Sequence, residues 1–398
     1  MSDLTSHRAQ IDGIDEQLVS LLETRMRICE AVARYKAGEG IPVMQQARVE
    51  GVLRRCSELA VTHGLQPHFV RSVYEVVIAG TCAREDEIVQ EIAGSGRPPP
   101  RRRPVAMRAM VVGARGGVGA SMAELLRGAG LEVVGVDLRP GGDAAEGDIV
   151  GDATCGGGAI EAAAARCDWV VVCVPDAEAV AVMELLHRSL PPGALIADTT
   201  SVKTPVSTWA EGARGDVEIL SLNPLFSPDL GFPGRRVAAV PLRSGPHTQQ
   251  LLAVVEAAGA TVVRLGADEH DREVALTQAT VHAAVLAVGR TLAALTGEGG
   301  WRLATPPFQA LLLLVARISA AEPELYRCIQ HANPHAAPAR AALADAVRAV
   351  GDASRSAEDF AELVRIIRGG LGPALGHLRS QSRALLHHVE VGVDGEEP

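Results

Sequence analysis

A glycine-rich turn constrains the fold of this chain more than any other feature. In the segment "RAMVVGARGGVGASMAELL", residues 108–126, a run of valines reads as a buried strand, and the stretch after the glycines reads as a helix that begins near Ala120. Glycines in such a turn let the backbone approach a pyrophosphate, whose charge then lies at the helix N-terminus. The pattern therefore predicts a parallel α/β sheet that binds a dinucleotide. The residues predicted to form this site are Gly113, Arg115, Gly116, Gly117, Val118 and Gly119.

The end of the next strand indicates which dinucleotide is bound. Asp137 ends that strand, where its carboxylate can accept both hydroxyls of a ribose and would repel a 2′-phosphate, so NAD is favoured. Arg139 lies two residues further on and leaves NADP as an alternative. Val174 and Pro175 follow a later valine-rich strand and are also expected beside the cofactor. A sheet of this shape that binds no cofactor remains a third interpretation.

The texture of the sequence changes along the chain, which predicts three domains. Residues 1–92 read as helix almost throughout, and residues 93–106 are a linker rich in proline and arginine. Residues 107–270 alternate strands and helices, and residues 271–390 form a helical segment rich in alanine and leucine. The predicted fold class is therefore multidomain: an all-α domain, then an α/β Rossmann domain with a doubly wound parallel sheet, then a second all-α domain.

The composition argues against several classes of function. Aromatic residues make up 3% of the 398 residues and the net charge is −10, which opposes a nucleic-acid partner. The longest apolar runs are far shorter than a membrane span, and the N-terminus lacks the apolar stretch of a secretion signal, so the cytoplasm is the expected location. The seven cysteines form no C-x-x-C pair and no cluster has metal-ligand spacing, so we expect reduced thiols and no metal. Small molecules are the expected partners.

The first helical segment carries an apolar stripe and four cations. The stripe runs from Ile11 to Ile28, and a helix this long cannot bury it alone, which predicts a partner chain. Together the cations could bind a small dianion, because a guanidinium pairs with a carboxylate in a two-pronged geometry. Alternatively, each cation is a solvated charge on its helix. The four residues are Arg8, Arg25, Lys36 and Arg48.

This segment resembles the all-helical chorismate mutases over nearly all of residues 4–90. The resemblance lies in the pattern R-x(2)-I-D-x(2)-D-x(2)-L-x(2)-L-x(3)-R, followed by a lysine and then an arginine. It implies a pericyclic rearrangement that needs no nucleophile and is helped by stabilising charge on the breaking ether oxygen. The implied contacts are Arg8 (from the partner chain), Arg25, Arg48 and Thr81 for the substrate carboxylates, and Lys36 and Glu85 for the ether oxygen.

Two positions depart from the chorismate mutase pattern. Val49 stands where an acid usually follows the loop arginine and touches the C4 hydroxyl of the substrate, and Gln45 replaces an expected aspartate. The scaffold and most of the cations are kept, but the contact with the C4 substituent is altered. Either the substrate differs at C4, or this module is a weak mutase.

The rest of the chain resembles the dehydrogenase half of the bifunctional chorismate mutase–prephenate dehydrogenases (T-protein type). The segments "DTTSVK", "LNPLFSPDLG", "EHDREVALTQATVHAAVLA" and "SQSRALL" match motifs of that family in the same order. The resemblance implies an NAD-dependent oxidative decarboxylation and a homodimer formed through both helical segments. The implied catalytic residues are Ser201 and Asn223, and the implied substrate-binding residues are Lys203, Gln278, His282, Gln309 and Arg317. Alternatively, Ser201 caps the next helix, and His270, which also matches a family position, is a packed residue.

Asn223 stands where that family carries a histidine that accepts the proton of the C4 hydroxyl. An amide cannot accept a proton at any biological pH and can only hydrogen-bond. Three interpretations remain: a slow prephenate dehydrogenase that makes 4-hydroxyphenylpyruvate for tyrosine biosynthesis, an enzyme for the 4-amino-4-deoxy analogues that makes 4-aminophenylpyruvate, and a non-catalytic cofactor-binding regulator. The second is favoured, because an amine lone pair can support hydride loss without a strong base, and because Val49 alters the mutase half toward the same C4 atom.

Overall fold

The structure, a computed structural model, describes residues 2–39, 46–94, 107–140, 147–155, 158–295, 301 and 303–391. Within these ranges the chain forms a helical N-terminal part, an α/β part and a helical C-terminal part, as the sequence predicts. Most of the predicted linker, and Gln45, lie outside the described residues.

Three helices form the N-terminal part: α1 (Ser2–Glu39), α2 (Gln46–Thr62) and α3 (Pro67–Gly94). Gly64 follows α2 at φ +70°, the left-handed conformation that commonly ends a helix, and Pro67 occupies the first position of α3, where its missing N–H costs nothing. Helix α3 packs against both α1 and α2.

The apolar stripe of α1 is largely uncovered within one chain. The side chains of Leu18, Leu21 and Ile28 are 52%, 65% and 61% exposed. Exposed apolar area of this extent is costly in water, at about 25 cal/mol per Å². The exposure agrees with the prediction that this helix packs against a partner chain.

The α/β part is built on one eight-stranded sheet. In space the strands follow the order β3-β2-β1-β4-β5-β6-β7-β8, and every neighbouring pair is parallel except β6 with β7. This differs from the fully parallel sheet that the sequence predicts. The strands are β1 (Arg108–Val112), β2 (Glu132–Asp137), β3 (Ile149–Val150), β4 (Trp169–Val172), β5 (Leu195–Asp198), β6 (Glu218–Pro224), β7 (Arg236–Arg243) and β8 (Thr261–Arg264).

Helices cover both faces of this sheet, which explains why its central strands are continuous apolar runs. The four residues of β4 are all buried, as are those of β5. One apolar layer lies under α5, α6 and α7 and the other under α4 and α8. The helices are α4 (Gly117–Gly128), α5 (Gly158–Ala164), α6 (Asp176–Leu186), α7 (Thr204–Gly212) and α8 (Pro246–Ala257).

The C-terminal part begins directly after the last strand and is helical to Val391. Its elements are α9 (Ala267–Val274), a π-helical turn (Ala275–Ala279), α10 (Thr280–Leu295), α11 (Pro306–Ser319), α12 (Pro323–Ala332), α13 (Ala336–Ala353), α14 (Ala357–Leu371) and α15 (Leu375–Val391). In the described part of the chain, one helical stretch, Ala267–Leu295, is long and apolar enough to cross a membrane by length and composition alone. A helix at a subunit interface has the same properties.

Candidate active site

The glycine-rich turn has the close packing that a dinucleotide site requires. Gly113 has φ +79°, and a Cβ there would lie 2.5 Å from the carbonyl oxygen of Cys173 after β4. A Cβ on Gly119 would lie 1.9 Å from the carbonyl oxygen of Gly113. These glycines therefore hold helix α4 tightly against the sheet. The helix begins at Gly117, three residues earlier than predicted, so the glycines form its first turn and leave its N-terminal amides open toward the carboxyl edge of the sheet.

Asp137 is fixed at the end of β2 beside this turn. Its carboxylate accepts hydrogen bonds from the backbone N–H of Arg115 at 2.9 Å and from that of Arg139 at 3.0 Å. Partial burial alone would raise the pKa of Asp137, but these two amides and the two guanidinium groups lower it overall. An ionised carboxylate at this place can accept ribose hydroxyls. Val174 and Pro175 follow β4 at the same edge, so the predicted cofactor residues come together.

A fully buried lysine joins the ends of β5 and β6. The ammonium group of Lys203 donates to the carbonyl oxygens of Thr200 at 2.6 Å and Leu222 at 2.7 Å, and it lies 3.8 Å from the Oδ1 atom of Asp198. Burial lowers the pKa of Lys203, and nearby carboxylates oppose that shift. Since its side chain has no exposed surface, the structure favours a structural role for Lys203 over the predicted substrate contact.

Asn223, near the end of β6, is the first member of a buried chain of polar groups. Its Nδ2 atom lies 3.1 Å from Nε2 of His270, and Nδ1 of His270 lies 2.9 Å from Oδ1 of Asp271. Asn223 is 5% exposed, His270 1% and Asp271 0%. A basic group, His270, therefore lies directly behind the amide that replaces the expected base.

The charge states of His270 and Asp271 follow from burial and hydrogen bonding. Burial lowers the pKa of His270, although the contact with Asp271 opposes the shift, so the imidazole is neutral at pH 7. Burial alone would raise the pKa of Asp271, but hydrogen bonds from His270, Thr204 and the Lys203 amide lower it overall. A neutral imidazole next to an ionised carboxylate carries its proton on Nδ1, which leaves Nε2 as an acceptor.

Ser201 lies at the same edge, but its hydroxyl does not cap the next helix, which was the alternative to a catalytic role. Its backbone N–H donates to Asp176 at 2.8 Å, and among the described residues no hydrogen bond joins its hydroxyl to Asn223 or to the start of α7. Burial raises the pKa of Asp176 to about 6, against the opposing effects of the Ser201 amide and the Lys203 ammonium. The predicted role of Ser201 in catalysis stays a prediction.

The predicted substrate-binding residues of the C-terminal part lie on the π-helical turn, α10 and α11. Gln278 is in the π-helical turn, a distortion that is frequent at functional sites. The ring of His282 packs edge-on against Tyr326 at 4.7 Å, and its Nδ1 atom, like Oε1 of Gln309, is buried without a hydrogen-bond partner in the described part of the chain. Arg317 is exposed on α11. Unpartnered buried polar atoms are expected where a ligand supplies the missing hydrogen bond.

The N-terminal part brings four of its predicted site residues into one cluster between α1 and α3. The guanidinium group of Arg25 donates to the hydroxyl of Thr81, and the ammonium group of Lys36 donates to Oε2 of Glu85 at 2.7 Å. Thr81 and Glu85 are 4% and 6% exposed. Two cations and two buried polar groups thus meet where the resemblance implies carboxylate and ether contacts.

Arg8 and Arg48 are exposed and lie near the starts of α1 and α2. Arg8 is 17 positions before Arg25 on the same helix, which separates them by about 26 Å along the helix axis. Arg8 is thus too far away to reach the Arg25 cluster of its own chain. This distance supports the prediction that Arg8 serves a partner's site.

The sequence motifs indicated His270 only as a weaker match to a family position, and they did not indicate Asp271, Asp176 or Asp198 as site residues. His270 and Asp271 are adjacent in the motif "EHD", which directly follows the last strand and therefore lies near the carboxyl edge of the sheet. An imidazole beside a carboxylate at such a place was the available signal.

Comparisons with known proteins identify both functional parts of the chain. Residues 7–86 match the family "Chorismate mutase type II", and residues 266–368 match "Prephenate dehydrogenase, dimerization domain". The resemblances inferred from the sequence motifs are thereby confirmed.

Individual relatives agree with these matches. The chain is 40% identical over 271 residues to the 4-amino-4-deoxyprephenate dehydrogenase of Streptomyces pristinaespiralis, an alignment that covers 67% of this chain and 91% of the relative. It is 36% identical over 97 residues to the 4-amino-4-deoxychorismate mutase of the same organism, which covers 24% of this chain and 73% of the relative.

The fold also matches a solved structure. Prephenate dehydrogenase from Aquifex aeolicus, in complex with hydroxyphenyl propionate and NAD+, superposes with a TM-score of 0.53 at 18% identity, over 68% of this chain and all of that one. The likeness covers the sheet and helical architecture described above. From the motifs, the matched domains and the extent of the first relative, this chain belongs to the prephenate dehydrogenase family and carries a type II chorismate mutase domain at its N-terminal side.

Proposed function

We propose that this enzyme rearranges 4-amino-4-deoxychorismate in its N-terminal part and oxidatively decarboxylates 4-amino-4-deoxyprephenate, toward 4-aminophenylpyruvate, in the rest of the chain. The observation that carries the proposal is Asn223, whose Nδ2 atom lies 3.1 Å from the acceptor nitrogen of His270. With Nδ2 used in this way, the amide presents its carbonyl oxygen as the free acceptor. Such an oxygen binds a donor at C4 without removing a proton from it.

An amine at C4 suits this acceptor better than a hydroxyl does. The C4–H bond breaks with its electron pair leaving as hydride, and the C1–carboxylate bond breaks with its pair entering the ring, so the ring becomes aromatic and carbon dioxide departs. A C4 ammonium group first gives one proton to solvent, so the free amine, with its lone pair, is the form that loses hydride. The nitrogen lone pair stabilises the electron-poor carbon, so the site can work with an acceptor in place of a base.

Both halves of the chain have relatives named for 4-amino-4-deoxy substrates, which supports the proposal. In the mutase half, Val49 on α2 follows the exposed Arg48 and offers no polar group to a C4 substituent. Val49 stands in place of the acid that contacts a C4 hydroxyl in the related mutases. Both active sites then differ from those of their relatives at the contact with C4, which is the same atom in the two successive substrates.

We propose NAD as the cofactor of the dehydrogenase half, where it accepts the hydride. The turn at Gly113, Gly117 and Gly119 would hold the pyrophosphate, and Asp137 would accept hydroxyls of the adenosine ribose. The ionised state of Asp137 opposes a 2′-phosphate, so NADP is the less suited of the two. A homodimer completes the proposal, because a dimerization domain is present and the stripe of α1 is uncovered. The cytoplasm remains the expected location.

The test compares two substrates in one assay. NADH production is measured with 4-amino-4-deoxyprephenate and with prephenate, and we expect the amino substrate to give the higher kcat/KM. The alternative of an ordinary tyrosine-pathway enzyme is supported if prephenate is preferred. A regulator would bind NAD, seen as a raised melting temperature, and would reduce none of it with either substrate.

The substitution Asn223→His extends the same assay. Because a positioned base typically contributes about 10²-fold or more in rate, the variant is expected to gain prephenate turnover and to lose turnover of the amino substrate. The variant Cys167→Ser, at a buried thiol between α5 and β4 that contacts none of the proposed site residues, serves as a control for a substitution in the buried part of the sheet domain. Unchanged substrate preference in Asn223→His contradicts the role given to the amide.

A further inference from the structure

We infer that His270 and Asp271 are positioning residues that lock the Asn223 amide with its carbonyl oxygen toward the substrate, and that this lock selects a hydrogen-bond donor at C4. The inference rests on the proposed function, because it explains how the same site would recognise an amine. His270 is 1% exposed, so it acts through Asn223 and does not touch the substrate itself.

The hydrogen bonds to Asp271 determine which nitrogen of His270 carries the proton. Asp271 receives hydrogen bonds at both oxygens: from the Lys203 N–H at 2.7 Å on Oδ1, and from the N–H and hydroxyl of Thr204 at 2.8 and 2.6 Å on Oδ2. A carboxylate surrounded by donors remains ionised and acts only as an acceptor. The His270 nitrogen that lies 2.9 Å from Oδ1 therefore carries the proton.

The position of the proton on His270 determines the orientation of the Asn223 amide. With its proton on Nδ1, His270 presents a lone pair on Nε2, and that lone pair must face an N–H group. The Nδ2 atom of Asn223 fills this role at 3.1 Å. A rotated amide would set an oxygen against the lone pair and leave two acceptors facing each other in a buried place, which is unfavourable because neither acceptor then has a hydrogen-bond donor.

The hydrogen-bonded series Asn223–His270–Asp271 is held in place by several elements. Asn223 lies on β6, where it pairs with Ala238 of the antiparallel β7, and His270 and Asp271 lie on α9. Asn333, after α12, donates from Nδ2 to the backbone carbonyl of Asp271 at 2.7 Å. The two positioning residues are thus anchored to the helical part, whereas the amide that they orient belongs to the sheet.

The orientation of the Asn223 amide depends on pH through the protonation of His270. The charged side chains that face His270 are Lys203, Asp198 and Asp271, from the start of α7, the end of β5 and α9. Protonation of His270 places a proton on Nε2, which then requires the amide to turn its oxygen inward and its N–H groups toward the substrate. Activity with the amino substrate is therefore expected to fall as the pH drops through the pKa of His270, which burial holds below 6.5.

Two variants of matched size separate positioning from simple packing. In His270→Gln the side-chain oxygen reaches the place of Nε2 and can accept from Asn223, but it cannot be protonated there. In His270→Asn the shorter amide can still contact Asp271, but it does not reach Asn223. Both are assayed for kcat and KM with the two substrates from pH 5 to 9, beside wild type and with melting temperatures as a check of folding.

We expect His270→Gln to keep kcat/KM for the amino substrate within about threefold of wild type at pH 8 and to lose less activity than wild type does as the pH falls. We expect His270→Asn to lower kcat/KM for the amino substrate about tenfold, the worth of one hydrogen bond, and to reduce the preference over prephenate. Asp176, which titrates near pH 6, is kept in all three proteins and cancels in the comparison.

The inference is overturned if His270→Gln and wild type lose activity in parallel as the pH falls, or if both variants lose activity equally with both substrates. If His270→Asn fails to fold, the comparison of His270→Gln with wild type decides alone. The comparison is made on whichever substrate the wild-type enzyme prefers, so parallel pH profiles count against the lock in either case. A preference of wild type for prephenate contradicts the proposed function separately.

Discussion

Three carboxylates lie at the carboxyl edge of the sheet: Asp198 and Asp271 are buried, Asp176 is half-buried, and each is surrounded by different hydrogen-bond donors. Asp271 is surrounded by donors and remains ionised. Asp198 accepts from Thr200 and Ser221 on Oδ1, while its Oδ2 atom has no hydrogen-bond partner among the described residues. Asp176 has too few donors to offset its burial, so its pKa rises to about 6. One edge of the sheet thus combines a fixed charge with a group that titrates near neutrality.

Asp176 predicts how stability depends on pH. Its pKa in the folded chain, about 6, lies above the unfolded value of 3.8, so its contribution is fully present below pH 4 and is lost as the pH rises through 6. Between pH 4 and 7 the stability of wild type relative to Asp176→Asn is expected to fall by about 2 kcal/mol. Urea unfolding of both proteins at several pH values measures this difference. His270 is common to both proteins and cancels, and a difference that is flat with pH contradicts the assignment.

At the scale of single elements, the turn between β1 and α4 shows which glycines are required by packing. A Cβ on Gly119 would enter the Gly113 carbonyl at 1.9 Å, and both partners are main-chain atoms that cannot move aside cheaply. A Cβ on Gly116 would make an ordinary contact of 3.4 Å, at a backbone φ of −70° that any residue adopts. Two glycines of one motif therefore differ in structural importance.

The paired substitutions Gly119→Ala and Gly116→Ala test this difference. Gly119→Ala is expected to lower the free energy of unfolding by about 3 kcal/mol, because α4 must shift away from the sheet. Gly116→Ala is expected to stay within about 1 kcal/mol of wild type. Urea denaturation followed by circular dichroism gives both values, and equal destabilisation would show that the turn adapts as a unit.

Elements with a clear local signal were predictable from the sequence, and contacts between distant elements were not. The valine runs at β1 and β4 form strands as predicted, and the described part of residues 1–92 is helical almost throughout, as predicted. The reversed direction of β7 has no local signature, because an antiparallel strand buried on both faces has the same apolar run as a parallel one. The contact of Asn223 with His270 joins residues 47 positions apart and depends on how α9 packs against the sheet.

At the scale of the whole molecule, Arg8 does not reach the predicted mutase cluster of its own chain. The cluster of Arg25 and Lys36 lies between α1 and α3, whereas Arg8 stands about 26 Å away along α1. The stretch of α1 between Arg8 and Arg25 carries the exposed apolar stripe. A second chain packed along that stripe would cover it and would bring its own Arg8 to the cluster.

Substitution on the stripe therefore reports on the mutase. Leu18→Lys removes a side chain whose burial in a dimer is worth about 1.5–3 kcal/mol and introduces a charge, so mutase activity is expected to fall at least tenfold. Ser20→Lys, on the opposite side of the same helix, is expected to leave it unchanged. Chorismate-type mutase assays and sedimentation velocity of both variants provide the measurement. Full mutase activity in Leu18→Lys would show that one chain suffices.

The Asp271 carboxylate has a mechanical consequence. It accepts hydrogen bonds from the backbone amides of Lys203 and Thr204 at the start of α7, while the Lys203 ammonium group donates to the carbonyl oxygens of Thr200, after β5, and Leu222, in β6. These bonds connect the sheet to α9, the helix that carries Asp271. They therefore fix the position of His270, the neighbour of Asp271, relative to the strand that carries Asn223.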